Sequence, residues 1–321
     1  MARPGGVPAY HCGMTVDGVL KVRAAAAALG LVAREITPIA GDASRRSFFR
    51  VTTPKGSAIA AVYPDGAEDQ VERDEGVHAW GWERGLPIPL PIGHTPLVAF
   101  AADLGDEDLE HALRTRGDGV ITGALETLAA FQACPWHDLV TSAFDAAFFR
   151  RELELFEQFT SRSSGARPAT TETFLNDLAG RLGAHPYRLV HRDFHVNNLF
   201  LRDGAVWAVD YQDMRGGPDT YDAASLLRER AGGELLGSDL EWRERTAARL
   251  DWAAGWEQRY FECAAQRGLK VIGTFLRLAS WGRTEYLAWL PRVQALAREA
   301  VVRLGAPGAL VDLLEVPPRG L

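Results

Sequence analysis

A chain of 321 residues with 47% hydrophobic and 24% charged content can bury one large or two moderate cores, which excludes disordered and fibrous classes. Its net charge of −7 disfavours a nucleic-acid surface, because phosphate binding needs a basic face. Cys12, Cys134 and Cys263 are far apart and form no C-x-x-C, which argues against a disulfide framework and a zinc site.

Along the chain, the first thirty residues carry Gly and Pro where a secretory peptide would carry its apolar run. No later stretch reaches the length that spans a bilayer, so a cytoplasmic protein without a membrane partner is expected. The segment VDGVLKVRAAAAALGL has helical spacing, RSFFRVTT and SAIAAVYP read as strands joined by the turn PKG, and PLVAFAADLG reads as a third strand with a Gly stop. These elements predict a small α+β lobe over residues 1–103. Residues 104–321 carry helical periodicity in GVITGALETLAAFQA, AFDAAFFRRELELFEQF, ETFLNDLAGRLG, LEWRERTAARLDWAAGWEQRYFECAAQ and PRVQALAREAVVRLG. Only residues 189–213 interrupt it, with short apolar runs. A small sheet lobe joined by a short connector to a helical lobe predicts a ligand cleft between them.

The interruption contains HRDFHVNNLFL, residues 191–201, entered by the strand YRLV and left by FHVNNLFL, the turn RDG and AVWAVDYQD. Asp193 and Asn198 are five residues apart, and Asp210 follows a dozen residues later. Phosphoryl transfer uses such a set: one aspartate takes or orients the proton of the attacking hydroxyl, while an asparagine and a second aspartate hold the magnesium that bridges the nucleotide phosphates. The pattern matches H-R-D-x-x-x-x-N followed by the metal-binding aspartate of kinase-like folds. Singly each residue has a plainer reading: His191 as a hydrogen-bonded structural histidine, Asn198 as a turn cap, an aspartate after a strand as a loop residue.

The runs LVHRDFHVNNLFL, AVDYQD and GPDTYDAASLLR resemble the aminoglycoside phosphotransferase superfamily, whose members share the two-lobed protein-kinase-like α+β fold. GDASRRSFFRV, RRELELF, QRGLKVIGTFLRL and EYLAWLPRV narrow the resemblance to the bacterial anomeric kinases that phosphorylate N-acetylmuramate and N-acetylglucosamine at C1. By that resemblance Asp193 is the catalytic base, Asn198 and Asp210 are the magnesium ligands, and Asp222 is a buried aspartate tying the catalytic loop to a helix. His191 and His195 support the loop, and Gln212 with Asp213 face the acceptor or merely start a loop. ATP and Mg2+ are the implied cofactors, a small-molecule sugar is the implied partner, and cell-wall recycling is the implied setting.

On the nucleotide side, no G-x-G-x-x-G is present and GDASRRSFF takes its place, with Ser44 in it as a candidate contact. Of the three lysines, Lys21, Lys55 and Lys270, none lies in SAIAAVYP, and Val62 stands where the phosphate-binding lysine would be. Strand alternation puts Arg46, Phe48 and Arg50 on one face, where either arginine reaches the phosphates or the face is simply solvated. Glu72 and Glu75 are the candidates for the glutamate that would pair such a cation. The connector AFAADLGDEDL has the form of the family hinge, with Asp103 at its start. On the acceptor side, Trp252, Trp256 and Tyr260 recur every four residues as one helix face, either core or sugar platform, and Trp281 follows. Lys270 and Arg277, seven residues apart on one expected helix, meet an anionic group or solvate the helix.

The expected activity is ATP-dependent phosphorylation of the anomeric hydroxyl of a hexose or N-acetylhexosamine. The alternatives are a kinase of the same fold acting on an aminoglycoside, choline or homoserine, and a nucleotide-binding module without turnover.

Overall fold

The computed structural model describes residues 11–39, 45–139, 141–164, 168–236 and 239–315. The chain divides into two compact units, Met1–Gly105 and Asp106–Leu321.

The first unit contains α1 (His11–Ala28), β1 (Glu35–Ile39), β2 (Ser47–Thr53), β3 (Gly56–Val62), α2 (Glu68–Glu83), β4 (Pro91–Thr95) and β5 (Val98–Ala102). The strands form one antiparallel sheet in the order β1-β2-β3-β5-β4. Helical spacing places Val22, Ala25 and Ala26 of α1 on one face, where they are buried with Phe49, Val51, Ala60, Val62, Val98 and Phe100. In β2, Phe49 and Val51 point into this core while Phe48 and Arg50 lie half-buried on the other face. Close approach explains Gly18: a Cβ there would sit 2.4 Å from the Phe49 ring. Val62 is core, so the position expected for a lysine is filled by packing.

Strands β1 and β4 are additions to the sequence reading. EITPI and PIGHT lack clean alternation and carry Pro38 and Pro91. Both lie at the sheet's edges, where a missing ladder donor is tolerated. Neither glutamate of α2 takes the pairing position. Glu72 is exposed, and Glu75 lies 3.6 Å from His78. The acid turned inward is Asp74, whose Oδ2 accepts the Tyr63 hydroxyl at 3.0 Å.

The second unit contains α3 (Leu109–Arg116), α4 (Ile121–Ala133), α5 (Ala146–Ser164), α6 (Ala169–Leu182), β6 (Tyr187–Val190), β7 (Leu199–Arg202), β8 (Ala205–Ala208), β9 (Arg215–Pro218), α7 (Tyr221–Arg228), α8 (Arg230–Leu235), α9 (Leu240–Arg249), α10 (Trp256–Ser280), α11 (Leu290–Arg303) and α12 (Gly308–Leu313). Strand β6 pairs β9, and β7 pairs β8 across Asp203 and Gly204, both with positive φ, as a two-residue hairpin turn requires. Strand β9, RGGP, carries no pattern that reads as a strand. Its glycines are required by contact, because Cβ atoms at Gly216 and Gly217 would meet Trp136 at 2.4 Å and Phe144 at 2.7 Å.

The single helix expected over 240–266 is two helices. Between them Asp251 and Gly255 take positive φ, and Arg259 pairs with Asp219 while donating to the carbonyls of Ala253 and Ala254. The aromatic stripe therefore divides: Trp252 lies in the break, Trp256 begins α10, and Tyr260 is fully buried. Helix α10 packs against α5, α7 and α11 and is the axis of this unit. At Gly273 a Cβ would lie 2.5 Å from the backbone nitrogen of Phe156 in α5, so neither helix can yield by moving a side chain. Gly273→Ala is expected to lower stability by about 1–3 kcal/mol, the cost of overpacking. A chemical-denaturation midpoint equal to that of the parent would contradict this packing.

Candidate active site

Strand β6 ends at Val190, and the chain turns sharply into the polar run. Arg192 adopts φ +82, a conformation that costs energy for a residue with a side chain. Asp222, at the start of α7 and wholly buried, holds the turn: Oδ2 accepts the His191 backbone N–H at 2.6 Å and Oδ1 accepts that of Arg192 at 3.0 Å. Burial pushes the Asp222 carboxyl above its ordinary range, against the pull of His191 and the backbone N–H groups. His191 donates from Nε2 to the Val209 carbonyl at 2.9 Å, its ring edge-on to Phe131 and Phe194. This ties β6 to the residue before Asp210.

Beyond the turn, the loop folds on itself. The His195 N–H donates to the Asp193 carbonyl at 3.0 Å, and the Asn198 N–H donates to the His195 carbonyl at 2.9 Å. Asn198 Nδ2 donates to the Asp193 carbonyl at 2.9 Å, which fixes the amide and directs its oxygen the other way. Val209 donates its N–H to the Asn198 carbonyl at 2.9 Å, so Asn198 and Asp210 stand on neighbouring positions of the β7–β8 hairpin. Asp210 has φ +64, and its Oδ1 accepts Gln212 Nε2 at 2.8 Å. Asp213 is drawn elsewhere: it lies 3.0 Å from Arg192 and 3.4 Å from Arg215.

The Asp193 side chain, 35% exposed, borders a cavity of about 110 Å3 lined also by His195, Glu229, Arg267, Lys270, Val271, Thr274 and Phe275. Asp193 Oδ1 lies 3.7 Å from Arg267 Nη2 and 4.0 Å from Lys270 Nζ. Burial would push this carboxyl up, but Lys270, Arg267, Arg192 and His195 outweigh it and hold Asp193 well below the usual carboxylate range. The group is an anion throughout neutral and mildly acidic pH. Behind it, Glu152 of α5 pairs with Lys270 at 3.2 Å and accepts from Gln266 at 2.9 Å and Arg192 at 3.4 Å. Burial pushes Glu152 up, yet Lys270 and Arg192 leave it net lowered.

The expected residues of the second unit thus divide cleanly. His191, Asp193, His195, Asn198, Asp210 and Gln212 gather on one loop and hairpin, joined by Asp222 from the start of α7. Trp281 does not join them. It caps the C-terminal end of α10, 68% exposed with Arg277 over its ring, and helix rise puts it ~16 Å beyond Lys270. Glu152, Gln266 and Arg267 are the residues the sequence reading did not assign, although RRELELF and QRGLKVIG contain them. Only their convergence on Asp193 gives them meaning.

In the first unit, the Arg50 guanidinium grips Asp103, with Nε–H donating to Oδ2 at 2.6 Å and Nη2 to Oδ1 at 3.2 Å, and Gly105 N–H donates to Oδ1 at 2.9 Å. This carboxylate therefore braces the connector. Arg46 lies 5.4 Å over the Phe48 ring and 5.6 Å over Tyr63. Ser44 lies outside the described residues. Among the described residues, no group of three or more His, Cys, Asp or Glu side chains is arranged to hold a metal ion. None of the described helices is long and apolar enough to cross a membrane.

Asp222→Ala would strand two backbone N–H groups beside a strained turn, at roughly 1–3 kcal/mol for each unsatisfied group. Asp222→Asn keeps one acceptor and should lose less. Urea unfolding of both variants checks the order, and equal stability of Asp222→Ala and the parent would remove Asp222 from this role.

Known proteins bear out the architecture and supply a lineage. An N-acetylmuramate/N-acetylglucosamine kinase of Pseudomonas putida is 29% identical over 313 residues, spanning 89% of this chain and 90% of its own. The protein of the same name from Pseudomonas aeruginosa is 30% identical over 311 residues, spanning 89% of each. Among solved structures, a choline/ethanolamine kinase family protein of Mesorhizobium loti shares the fold with a TM-score of 0.64 at 14% identity, covering 94% of this chain and 98% of that one. The sequence pattern of the phosphotransferase enzyme family matches residues 35–266, and the chain belongs to that family.

Proposed function

We propose that this protein transfers the γ-phosphoryl group of ATP to the anomeric C1 hydroxyl of a hexose or N-acetylhexosamine, of the N-acetylglucosamine or N-acetylmuramate type. The observation that carries the reading is Asp193, an ionised carboxylate facing a cavity and flanked by two cations, one loop away from Asn198 and Asp210. The names of its kinase relatives supply the sugar class.

A hemiacetal hydroxyl is more acidic than an ordinary alcohol, so the base need only orient it and accept its proton late. A strongly depressed carboxylate suits that task better than it suits early deprotonation. Lys270 and Arg267 keep Asp193 charged, and the hydrogen bonds to its carbonyl from His195 and Asn198 fix its position.

Two donors, the Asn198 amide oxygen and the Asp210 carboxylate, stand on adjacent hairpin positions. Mg2+ retains several waters and takes one or two protein ligands plus phosphate oxygens, so this pair fits it without a third side chain. Asn198 and Asp210 would hold the ion, whose chemistry there would be to offset the charge of the transferring phosphoryl group. In the first unit, Arg46 stands near Tyr63, whose hydroxyl is bound by Asp74. It is the residue we assign to the phosphate contact that Val62 cannot make, with Arg50 committed to Asp103.

Asp193→Asn removes the proton acceptor without adding bulk and should lower turnover by roughly a hundredfold or more while nucleotide binding persists. Near-parent turnover with bound ATP intact would take Asp193 out of the reaction. The position of attack has its own test. A free reducing hexosamine should be phosphorylated, and the same sugar with a methyl group on its C1 oxygen should not, because no hydroxyl remains for Asp193 to orient. Phosphorus NMR of the products decides, and equal phosphorylation of the capped sugar would leave a kinase acting at another hydroxyl.

A further inference from the structure

The cavity beside Asp193 holds two cations that are restrained very differently. Arg267 is locked: Nε donates to Glu229 Oε1 at 2.5 Å, Nη2 to Oε2 at 3.1 Å, Nη1 to the Arg192 carbonyl at 2.5 Å, and its plane lies 4.4 Å over Tyr221. Every arm of that guanidinium has a structural partner. Lys270 has one close partner, Glu152, which it meets as a hydrogen-bonded ion pair at 3.2 Å, and lies 4.0 Å from Asp193. An ammonium has three N–H donors, and two carboxylates occupy at most two.

Glu152 tolerates the departure of Lys270. Gln266 donates to its Oε2 at 2.9 Å and Arg192 to its Oε1 at 3.4 Å, so the buried carboxylate would keep two donors. The lysine stem is flexible, whereas the fork of Arg267 is not. Lys270 shares the cavity wall with Val271, Thr274 and Phe275, which follow at helical spacing on the same face of α10. An acceptor whose hydroxyl reaches Asp193 therefore meets an ammonium on a flexible stem next to an apolar surface.

We propose that Lys270 is a specificity-determining residue that reads acceptor charge: a carboxylate on the acceptor draws its ammonium away from Glu152, and a cationic acceptor is repelled. The proposal rests on the sugar-kinase reading above, where it has a natural pair of probes. N-acetylmuramate carries a carboxylate on a lactyl ether, and N-acetylglucosamine is the same ring without it. Loss of Lys270 weakens support for Asp193 equally with either sugar, so that effect cancels in the ratio between them. Charge reading does not cancel.

The experiment measures kcat/KM for both sugars with the parent enzyme, Lys270→Gln and Lys270→Arg. In Lys270→Gln the carboxylate-bearing sugar should lose about tenfold more than the neutral one, with the difference in KM, as expected for a lost charge-assisted contact. Lys270→Arg should recover part of the ratio. Equal losses on the two sugars would overturn the proposal and leave the sugar-kinase reading standing. Failure of the parent enzyme to phosphorylate either sugar would overturn that reading, and this proposal with it.

Discussion

One buried guanidinium joins the parts of the second unit that have to agree. Arg267, 2% exposed in the middle of α10, binds Glu229 just after α7, the carbonyl of Arg192 on the strained turn, the Tyr221 ring and the field of Asp193. Burial alone would weaken its charge, and Glu229 beside it reverses the balance. A buried ion pair stabilises little in total, because desolvation consumes most of the attraction, but breaking one side leaves an uncompensated charge. That asymmetry makes the pair a device for geometry. Helix α10 cannot rotate or slide without leaving Glu229 or the turn carbonyl unsatisfied, so the loop that carries Asp193 inherits its register from the longest of the described helices.

The loop itself was legible in the sequence because it is local. Asp193, Asn198, Asp210 and Asp222 lie within thirty residues; the spacing and strand context of the first three point to phosphoryl transfer, and the family resemblance adds Asp222. The hairpin turn at Asp203–Gly204 was legible for the same reason. The charge cluster around Asp193 was not. Glu152 and Lys270 are more than a hundred residues apart in sequence, and each reads alone as an ordinary charge on an amphipathic helix. Trp281 shows the converse case: a large aromatic at the end of the LRL run invites a binding role, and helix geometry carries it to solvent, away from the Asp193 cavity. Edge strands β1 and β4 escaped because their prolines are tolerated only by their place in the sheet, which no local pattern reveals. The long helix expected over 240–266 broke at two positive-φ residues, one of them Gly255, whose neighbours carry full helical periodicity.

In the first unit, the phosphate contact proposed above falls to a different residue from the one a kinase-like sequence would lead one to expect. A β3 lysine is absent because Val62 is part of the apolar core under α1, and a charged group there would be buried without a partner. The polar face of β2 carries the cations instead. Arg50 is spent on Asp103, whose carboxyl is drawn below its usual range by Arg50 and the Gly105 N–H despite burial. Arg46 rests on two aromatic rings, one of which hydrogen-bonds Asp74. Burial pushes the Asp74 carboxyl up, against the pull of the Tyr63 hydroxyl, Arg73 and Arg46. An arginine stacked on aromatics keeps its charge at any physiological pH, which a buried lysine does not.

That contrast extends to the whole chain. Of its 35 basic residues only Lys21, Lys55 and Lys270 are lysines, and the first two are on the surface. The architecture relies on arginine wherever a cation must be fixed: Arg50 on the connector, Arg259 at the helix break, Arg228 between Asp239 and Glu299, and Arg267 at the centre. A planar fork with several directed donors suits those positions, because each arm can be satisfied by a different element. Lysine offers the opposite properties, a point charge on a flexible stem with rotatable donors. Its appearance beside Asp193 puts the cation with fewest directional commitments next to the carboxylate assigned to the chemistry. A rigid arginine there would support the anion equally well but would follow an incoming ligand less readily. Under the proposal above, the choice of residue type separates two tasks within one cavity: Arg267 fixes the frame, and Lys270, on its flexible stem, meets the acceptor.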